Sequence, residues 1–576
     1  MPAWLVLGAL ALLVLALLSG RLSPTIAFPA WAGGCYLAGV ITETELLQSY
    51  ANPALATLVL LLLVSLALER APLLEQLAGK LLAGGERRAV VKLTSVAALF
   101  SAFLNNTAVV GTLLGVVSNQ RRHAPSRLLL PLSFGAILGG IATLVGTSTN
   151  LVVNSFVVAA GLPALEMFDF AWVGVPVAVA CLAVLSLSYR WLPMRDRSAE
   201  PGAQRYFLEA GVLPDSPLIG RSIEANRMRN LEGLFLTEIL RQGRLLSPVG
   251  PEEVIEAGDR LIFTGQLDRV QVLERFEGLD LFGHRADALL RDNLVEAVIS
   301  SGSELANRTL KELDFRTMFD AGVVAIRRGD RPMTGQLGRI PLRVGDALLL
   351  ATGPDFVHHR NIDRNFHLLG ATPLRPRLSP GETRLAVGGF AAVILAAACQ
   401  WLPLLAGLML LLAVLVARGL LTVAEMRRRF PFDLVLVIGS ALALARALEA
   451  SGAAGLLAGL VADLTRGGGP WMALAGIYLL TAMLTEVISN AAAAALVFPL
   501  AVGTARALGV DELPFIMALA YAASACFVTP FGYQTHLMVF SPGRYGMQDF
   551  LRAGLPVALV YGLGVLTLVP LVFPFT

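Results

Sequence analysis

Two short stretches set glycine, hydroxyl and amide residues inside apolar sequence where helix should continue: VGTSTNLVVNS at 145–155 and FGYQTHLMVFS at 531–541. Laid side by side without a gap, Gly146 falls on Gly532, Thr149 on Thr535, Leu151 on Leu537, Val153 on Val539 and Ser155 on Ser541. Inside hydrocarbon an unpaired backbone N–H or C=O costs several kcal/mol, so a broken helix survives only where protein or a water-filled cavity satisfies it. Such a break offers two chemistries. Carbonyls ending its first half, with Ser, Thr and Asn oxygens, suit a hard cation such as Na+; N–H groups opening its second half suit an anion.

A second pair of polar clusters repeats the arrangement. FLNNTA at 103–108 and TEVISNAA at 485–492 lie midway along apolar stretches near 89–118 and 470–504, a pattern that predicts a re-entrant hairpin in each. Aligning Asn106 with Asn490 sets Ser101 on Thr485, Asn105 on Ser489 and Ala108 on Ala492. Small polar residues often do no more than glue membrane helices together. That reading suits any one Ser or Thr here, but not a joint pattern repeated in both halves. Two copies in opposite orientation would bring four polar points together near the midplane, each building half of one site.

The rest of the chain must position these points. Of 576 residues 56% are hydrophobic and 15% charged, against about 25% charged in soluble domains, which predicts a polytopic helical membrane protein. The net charge of +3 gives no reason to expect nucleic acid. Residues 1–20 lack a basic leader and run directly into a second apolar segment, so they read as a membrane helix. Spans are expected near 3–19, 25–42, 51–69, 128–145 continuing to 160, and 170–192. The second set falls near 384–402, 404–421, 432–449, 513–530 continuing to 541, and 553–573. Cys35, Cys181, Cys399 and Cys526 stand singly in apolar sequence and read as packing residues.

Charge sets the orientation. Arg87, Arg88 and Lys92 flank one end of the first hairpin, and Arg121, Arg122 and Arg127 the other, so both ends face the cytoplasm. Arg21, Arg70, Arg190 and Arg197 then also fall inside. Arg427, Arg428 and Arg429 fall inside only if the second half is inverted relative to the first, the plan of many secondary transporters. The expected domains are a membrane repeat at 1–198, two small cytoplasmic α+β domains at 199–288 and 289–376, and a second membrane repeat at 377–576.

The middle block is itself duplicated. SPLIGRSI at 216–223 answers SELANRTL at 303–310, and EAGDRLIF at 256–263 answers RVGDALLL at 343–350. In each, Gly-Asp followed by alternating apolar residues predicts a turn entering a strand, with Asp259 and Asp346 shaping the turn. His358, His359 and His367 read as solvated. No G-x-G-x-x-G is present, so nucleotide chemistry is not indicated, and no nucleophile elbow or metal-ligand spacing suggests an enzyme.

At these motifs the chain resembles the divalent anion/sodium symporter family of the wider ion-transporter superfamily. That family carries Ser-Asn-Thr at each hairpin tip and a Gly-Thr-Pro-Pro-Asn-like break. Here the tips read Asn105-Asn106-Thr107 and Ser489-Asn490-Ala491, and the breaks Gly146-Thr147-Ser148-Thr149-Asn150 and Gly532-Tyr533-Gln534-Thr535-His536. TPFGYQTHLMVFSPGRY at 529–545 is similar to the sulfate-type subset. The resemblance implies one Na+ site at Ser101, Asn105, Asn106 and Gly146, and another at Thr485, the Ile488 carbonyl, Asn490 and Gly532. It places the anion among Asn105, Asn106, Thr107, Ser489 and Asn490, with Thr147, Gln534 and Thr535 from the breaks. It further implies a homodimer whose transport domain moves like an elevator. The middle domains resemble TrkA-C (RCK C-terminal) domains, implying a regulatory ligand, as yet unknown, or a dimer contact.

Two departures bear on the substrate. Asn105 stands where Ser is usual and Ala491 where Thr is usual, and a lost hydrogen bond to a charged ligand is worth roughly 1.5–3 kcal/mol. A compact tetrahedral anion fits better than a dicarboxylate. The expectation is a sodium-coupled importer of a small divalent oxyanion, sulfate foremost, in the inner (plasma) membrane. The alternatives are a dicarboxylate symporter, a sodium/proton antiporter or a channel. An antiporter would keep a carboxylate in each half's core, and the first hairpin has none beyond Lys92. Glu486 beside the second tip could carry a proton, assist Na+, pair with Arg446 or serve structure. His536 could sense pH or simply hydrogen-bond.

Overall fold

Glycine and proline punctuate both membrane halves in the same order. In this computed structural model the first half runs α1 (Ala3–Leu18), α2 (Pro24–Leu37), α3 (Glu43–Tyr50), α4 (Pro53–Leu68), α5 (Glu86–Ser101), α6 (Asn106–Asn119), α7 (Pro125–Gly140), α8 (Ser148–Ala159) and α9 (Ala171–Ser188). The second runs α10 (Pro380–Ala398), α11 (Leu404–Ala417), α12 (Val423–Arg428), α13 (Phe432–Ala450), α14 (Ala453–Leu464), α15 (Gly469–Thr485), α16 (Asn490–Leu508), α17 (Leu513–Ala523), α18 (Gln534–Phe540) and α19 (Met547–Val572). The structure describes all residues except 1–2, 19–21, 72–80, 121, 196–205, 229–230, 232–233, 243, 247–248, 266–272, 274, 283–293, 301, 314, 334–336, 353–355, 357–360, 370–377 and 465–467. Arg21, Arg121, Arg197, His358 and His359, singled out above, fall outside the described residues.

The opening of each half shows how local chemistry repeats. Helix α2 ends at Gly39 (φ 69°) and α11 at Gly419 (φ 72°), both in the left-handed region that glycine enters without steric cost. Three residues later Thr42 caps α3 by accepting the Glu45 N–H at 3.2 Å, and Thr422 caps α12 by accepting the Glu425 N–H at 3.2 Å. Glu45 returns a carboxylate oxygen to the Thr42 N–H at 2.7 Å, completing a capping box.

These punctuation marks shorten several expected spans. Among the described residues five helices are long and apolar enough to cross a membrane: Glu43–Leu68 taken together, Ala171–Trp191, Pro380–Ala398, Asn490–Leu508 and Met547–Val572. A sixth arises if Phe432–Ala450 and Ala453–Leu460, bent by 80°, count as one. The segments expected at 3–19, 25–42 and 404–421 form helices of 16, 14 and 14 residues, below the ~20 that span a bilayer upright. Pro24 and Gly39, and Leu404 and Gly419, bound the latter two. The span expected at 513–530 stops at Ala523, for a reason that lies in the site.

Helices from the two halves pack across one another. α4 lies against α11, and α2 and α3 against α13, where the Tyr50 hydroxyl meets Ser440 Oγ at 2.7 Å. α9 lies against α19, α5 against α7, α15 against α17, and α18 against both α6 and α7. The hairpins and broken helices thus form one packed block beside a second built from α1–α4 and α10–α13. A single hydrophobic cluster threads both. Ala492, Ala493, Ala494 and Ala495, all buried, let α16 approach its neighbours closely.

Between the halves lie two five-stranded antiparallel sheets of one design. The first has β1 (Tyr206–Val212), β2 (Leu234–Arg241), β3 (Arg244–Leu246), β4 (Arg260–Gly265) and β5 (Leu279–Phe282), in the order β3-β2-β4-β1-β5. The second has β6 (Leu294–Ile299), β7 (Ala321–Arg328), β8 (Arg331–Pro332), β9 (Ala347–Thr352) and β10 (Phe366–Leu368), in the matching order β8-β7-β9-β6-β10. Even the irregularities match: the register shifts at Leu236/Glu238 in β2 and at Val323/Ala325 in β7. Asp259 and Asp346, both buried, accept the N–H groups of Glu256 and Arg343 at 2.8 Å and so shape their turns. Each carboxylate also takes a two-pronged grip, Asp259 from Arg241 at 2.9 and 2.8 Å and Asp346 from Arg328 at 2.7 Å twice. Those bonds raise both guanidinium pKa values above the ordinary arginine range.

The second sheet domain meets the block of broken helices just past α18. Ser541 Oγ accepts the Gly329 N–H at 3.1 Å and donates to the Gly345 carbonyl, while Asn119 Nδ2 donates to the Leu369 carbonyl at 2.6 Å.

Candidate ion and anion site

The first tip is made by a four-residue turn between α5 and α6. Asn105 caps α6, its Oδ1 accepting the Thr107 N–H at 2.9 Å, and Asn106 follows as the first helical residue. Ser101 is fully buried and Asn106 is 2% exposed. The Asn106 amide is held between two faces. Its inward atom stands 2.5 Å from Ser101 Oγ, 3.2 Å from the Ala136 carbonyl and 3.3 Å from the Gly146 carbonyl; its outward atom lies 2.6 Å from the Tyr533 hydroxyl. Hydrogen-bond pairing favours nitrogen inward and oxygen outward.

The first break explains why Gly146 is glycine. A Cβ there would lie 2.6 Å from the Gly140 carbonyl oxygen and 2.9 Å from that of Ala102, so only a bare Cα lets the unwound chain touch the tip. Thr143 donates to the Ala102 carbonyl and accepts the Gly146 N–H at 3.0 Å. Asn150 Nδ2 donates to the Thr143 carbonyl at 2.9 Å. These bonds answer the demand that an interrupted membrane helix be satisfied from within. Thr147 caps α8 through the Thr149 N–H at 3.4 Å.

The second half builds the same parts. The Thr485 hydroxyl lies 2.8 Å from Asn490 Oδ1 and 2.8 Å from the Ala523 carbonyl, as Ser101 lies against Asn106. Ser489 caps α16 through the Ala492 N–H at 3.4 Å. A Cβ on Gly532 would stand 2.5 Å from the Thr485 carbonyl oxygen. Ile488 is buried below the tip, while Ser489 is exposed and Asn490 half-buried.

Contact between the halves runs through the second break. Tyr533 reaches Asn106 and also lies 3.3 Å from Thr147 Oγ1, and the Thr107 hydroxyl donates to Gln534 Oε1 at 3.4 Å. Ser101, Asn106, Thr107, Gly146, Thr147 and Gln534 are therefore drawn together. Among the described residues no hydrogen bond joins Ser489 or Asn490 to the first tip. Thr535 departs from its expected place at the anion. It is fully buried against α7, 2.8 Å from Ser133 Oγ, because the next step around α18 turns it into the packed interior. Tyr533 and Thr143 carry no signal in the sequence beyond their type; an aromatic or a lone Thr in an apolar run reads as packing.

His536 and Glu486 hold the second break in shape. His536 Nε2 lies 2.8 Å from the Cys526 carbonyl, which can only accept, so Nδ1 accepts the Ser133 hydroxyl at 2.8 Å. The ring is fully buried, packed edge-on to Phe134 and Phe550. Glu486 oxygens accept the N–H groups of Phe527 at 3.0 Å, Val528 at 2.8 Å and Thr529 at 2.8 Å. The carboxylate thus stabilises the unwinding of α17 beyond Ala523, by satisfying three donors of the unwound stretch. Arg446 is engaged elsewhere, with the Glu45 carbonyl at 2.9 Å.

The oxygens around Asn106 are hydroxyl, amide and carbonyl, a neutral set suited to a hard monovalent cation. A cavity of about 20 Å³ opens beside Asn105, Gly146 and Ser148, room for one water-sized occupant. A larger, mostly apolar cleft of about 410 Å³ runs past Asn105 between the first tip and Phe390 and Ile394 of α10.

The family described as citrate transporter matches residues 3–520. The chain is 32% identical over 559 residues, 92% of its length and 94% of the other's, to a protein of Chlamydomonas reinhardtii named "Putative sulfur deprivation response regulator". It is 29% identical over 561 residues, 93% of its length and 91% of the other's, to "Uncharacterized transporter sll0640" of Synechocystis sp.. To "Sodium/sulfate cotransporter 1" of C. reinhardtii it is 27% identical over 373 residues, 62% of this chain and 42% of that protein.

Proposed function

The chain belongs to the citrate transporter family, and from that premise we propose that it is a sodium-coupled importer of a small divalent oxyanion, sulfate foremost. It is a multi-pass membrane transport protein and not an enzyme. What carries the finer reading is one observation: a buried amide at the tip of one half, ringed by oxygens, bonded to the break of the other half. Support comes also from a relative whose name is that of a sodium/sulfate cotransporter.

In this reading Na+ is held at Ser101, Asn105, Asn106 and Gly146, and again at Thr485, the Ile488 carbonyl, Asn490 and Gly532. The anion lies among Asn105, Asn106, Thr107, Ser489, Asn490, Thr147 and Gln534. All of those side chains are neutral, so a dianion there needs accompanying cations to offset its desolvation. Tyr533 occupies the position that Thr147 holds in the other half and fills space that a longer dicarboxylate would need. The block of hairpins and broken helices moves against α1–α4 and α10–α13, in a homodimer of the inner membrane, with the TrkA-C-like sheet domains in the cytoplasm. The family's description favours a carboxylate as the second reading.

Uptake of labelled sulfate by the purified protein in liposomes, challenged with thiosulfate, phosphate, succinate and citrate, decides between them. Competition by thiosulfate but not by the carboxylates is expected. Competition by succinate or citrate alone would transfer the proposal to the second reading.

A further inference from the structure

We propose that the Asn106 amide and the Tyr533 hydroxyl form a two-position relay, which turns a proton toward the anion only when sodium sits beside Ser101. The inference rests on the transport reading above and deepens it by naming how one ligand is made to wait for the other.

The relay follows from what each neighbour can do. Ser101 and Tyr533 are hydroxyls, able to donate or accept, so each fits either end of the amide. The Ala136 and Gly146 carbonyls, 3.2 and 3.3 Å from the inward atom, accept only. With no cation they decide the matter: nitrogen points inward, its two protons shared among Ser101 Oγ and the carbonyls, and oxygen points outward. The outward oxygen then accepts from Tyr533, at 2.6 Å, and uses the one proton that hydroxyl owns.

A cation reverses the balance. With the amide turned over, Asn106 Oδ1 joins Ser101 Oγ and the two carbonyls in one cluster of four oxygens, repulsive when alone and favourable around Na+. The nitrogen now faces outward and donates to the Tyr533 oxygen at 2.6 Å. The Tyr533 proton is released and turns toward Thr147 Oγ1, 3.3 Å away, and the half-exposed space beside Thr107 and Gln534. An outward-facing acceptor has become an outward-facing donor. Anion affinity therefore rises with sodium, although the two ligands need not touch. Only a hydroxyl at position 533 can serve both states.

The test uses Tyr533→Phe and Asn106→Asp in the full-length purified transporter, with NaCl alone, sulfate in KCl, and sulfate in NaCl as probes. Binding is read by thermal shift and by labelled sulfate. Coupling between sites is reciprocal and typically roughly 5–150-fold. In the native protein sodium should tighten sulfate binding by such a factor, and sulfate should tighten sodium binding equally. Tyr533→Phe should keep sodium binding while the factor falls well below the native one, to what attraction between the two ions' charges alone supplies. Asn106→Asp, with an oxygen on both faces, should keep sodium binding and lose sulfate at saturating NaCl. An unchanged coupling factor in Tyr533→Phe overturns the relay, and so does loss of sodium binding in a folded Tyr533→Phe protein, because the phenol would then belong to the ion's own shell. If the native protein binds sulfate equally in KCl and NaCl, it is the sodium-coupled reading that fails. If it binds succinate in place of sulfate, the same measurements run with succinate.

Discussion

Tyr533, which opens the last short helix of the second half, sets its hydroxyl 2.6 Å from the Asn106 amide at the tip of the first. One hydrogen bond thus spans residues 427 positions apart and joins a helix break to a hairpin that the sequence places in separate repeats. In the proposed reading the site is built between the halves, so changes in either half should disable the whole.

Asn106→Ala and Asn490→Ala are each expected to abolish uptake while leaving the protein folded. Asn106 loses its contacts with Ser101 and Tyr533, and Asn490 loses its partner Thr485. Proteoliposome uptake with size-exclusion profiles of the purified variants checks both. Normal uptake in either variant removes that tip from the site.

Gly146→Ala and Gly532→Ala are expected to lower the melting temperature and to abolish the sodium-induced thermal shift. The added methyl groups would drive into the Gly140 and Ala102 carbonyl oxygens and the Thr485 carbonyl oxygen, respectively. Gly476→Ala is the matched control: nothing lies within 4 Å of a Cβ there, and replacing a mid-helix glycine should stabilise by about 0.4–1 kcal/mol.

Glu486→Gln is expected to destabilise the protein by about 1.5–3 kcal/mol, the scale of a hydrogen bond to a charged group. Three backbone N–H groups converge on the carboxylate, and an amide can accept with only one of its two atoms. Thermal unfolding in detergent measures the loss. Were Glu486 a proton carrier instead, the variant would keep its melting temperature and lose pH dependence of uptake.

Ser541→Ala should loosen the second sheet domain where it meets the membrane block. Its hydroxyl bridges the Gly329 N–H and the Gly345 carbonyl from two different turns. Faster hydrogen exchange at Gly329 and its neighbours in β7 and β8, with β2 and β4 unchanged, is the expected signature.

The tips and breaks were legible in the sequence because Asn106, Gly146, Asn490 and Gly532 violate the apolar pattern around them, and they do so twice. Tyr533 was not, since nothing local marks which aromatic will reach across to another repeat. Thr535 was misplaced for a geometric reason: one residue along a helix turns a side chain by about 100°, from the tips to Ser133. Span lengths were overestimated because hydropathy does not see that Gly39 and Gly419 enter left-handed turns. The duplicated Gly-Asp turns announced two related sheet domains, yet the strand order and the matched irregularities in β2 and β7 depend on pairing between distant segments. Glu486 was visible as a charge within a hairpin core. Its three N–H partners were not, because they exist only once α17 has unwound.

The most direct measurement is accumulation of labelled sulfate by the purified protein in liposomes, under an inward Na+ gradient and under an equal K+ gradient. Concentrative uptake with Na+, collapsing with K+ and absent in Asn106→Ala, is the predicted result. Equal uptake under both gradients, or full uptake by the variant, would contradict the claim that two half-sites jointly hold sodium and its anion.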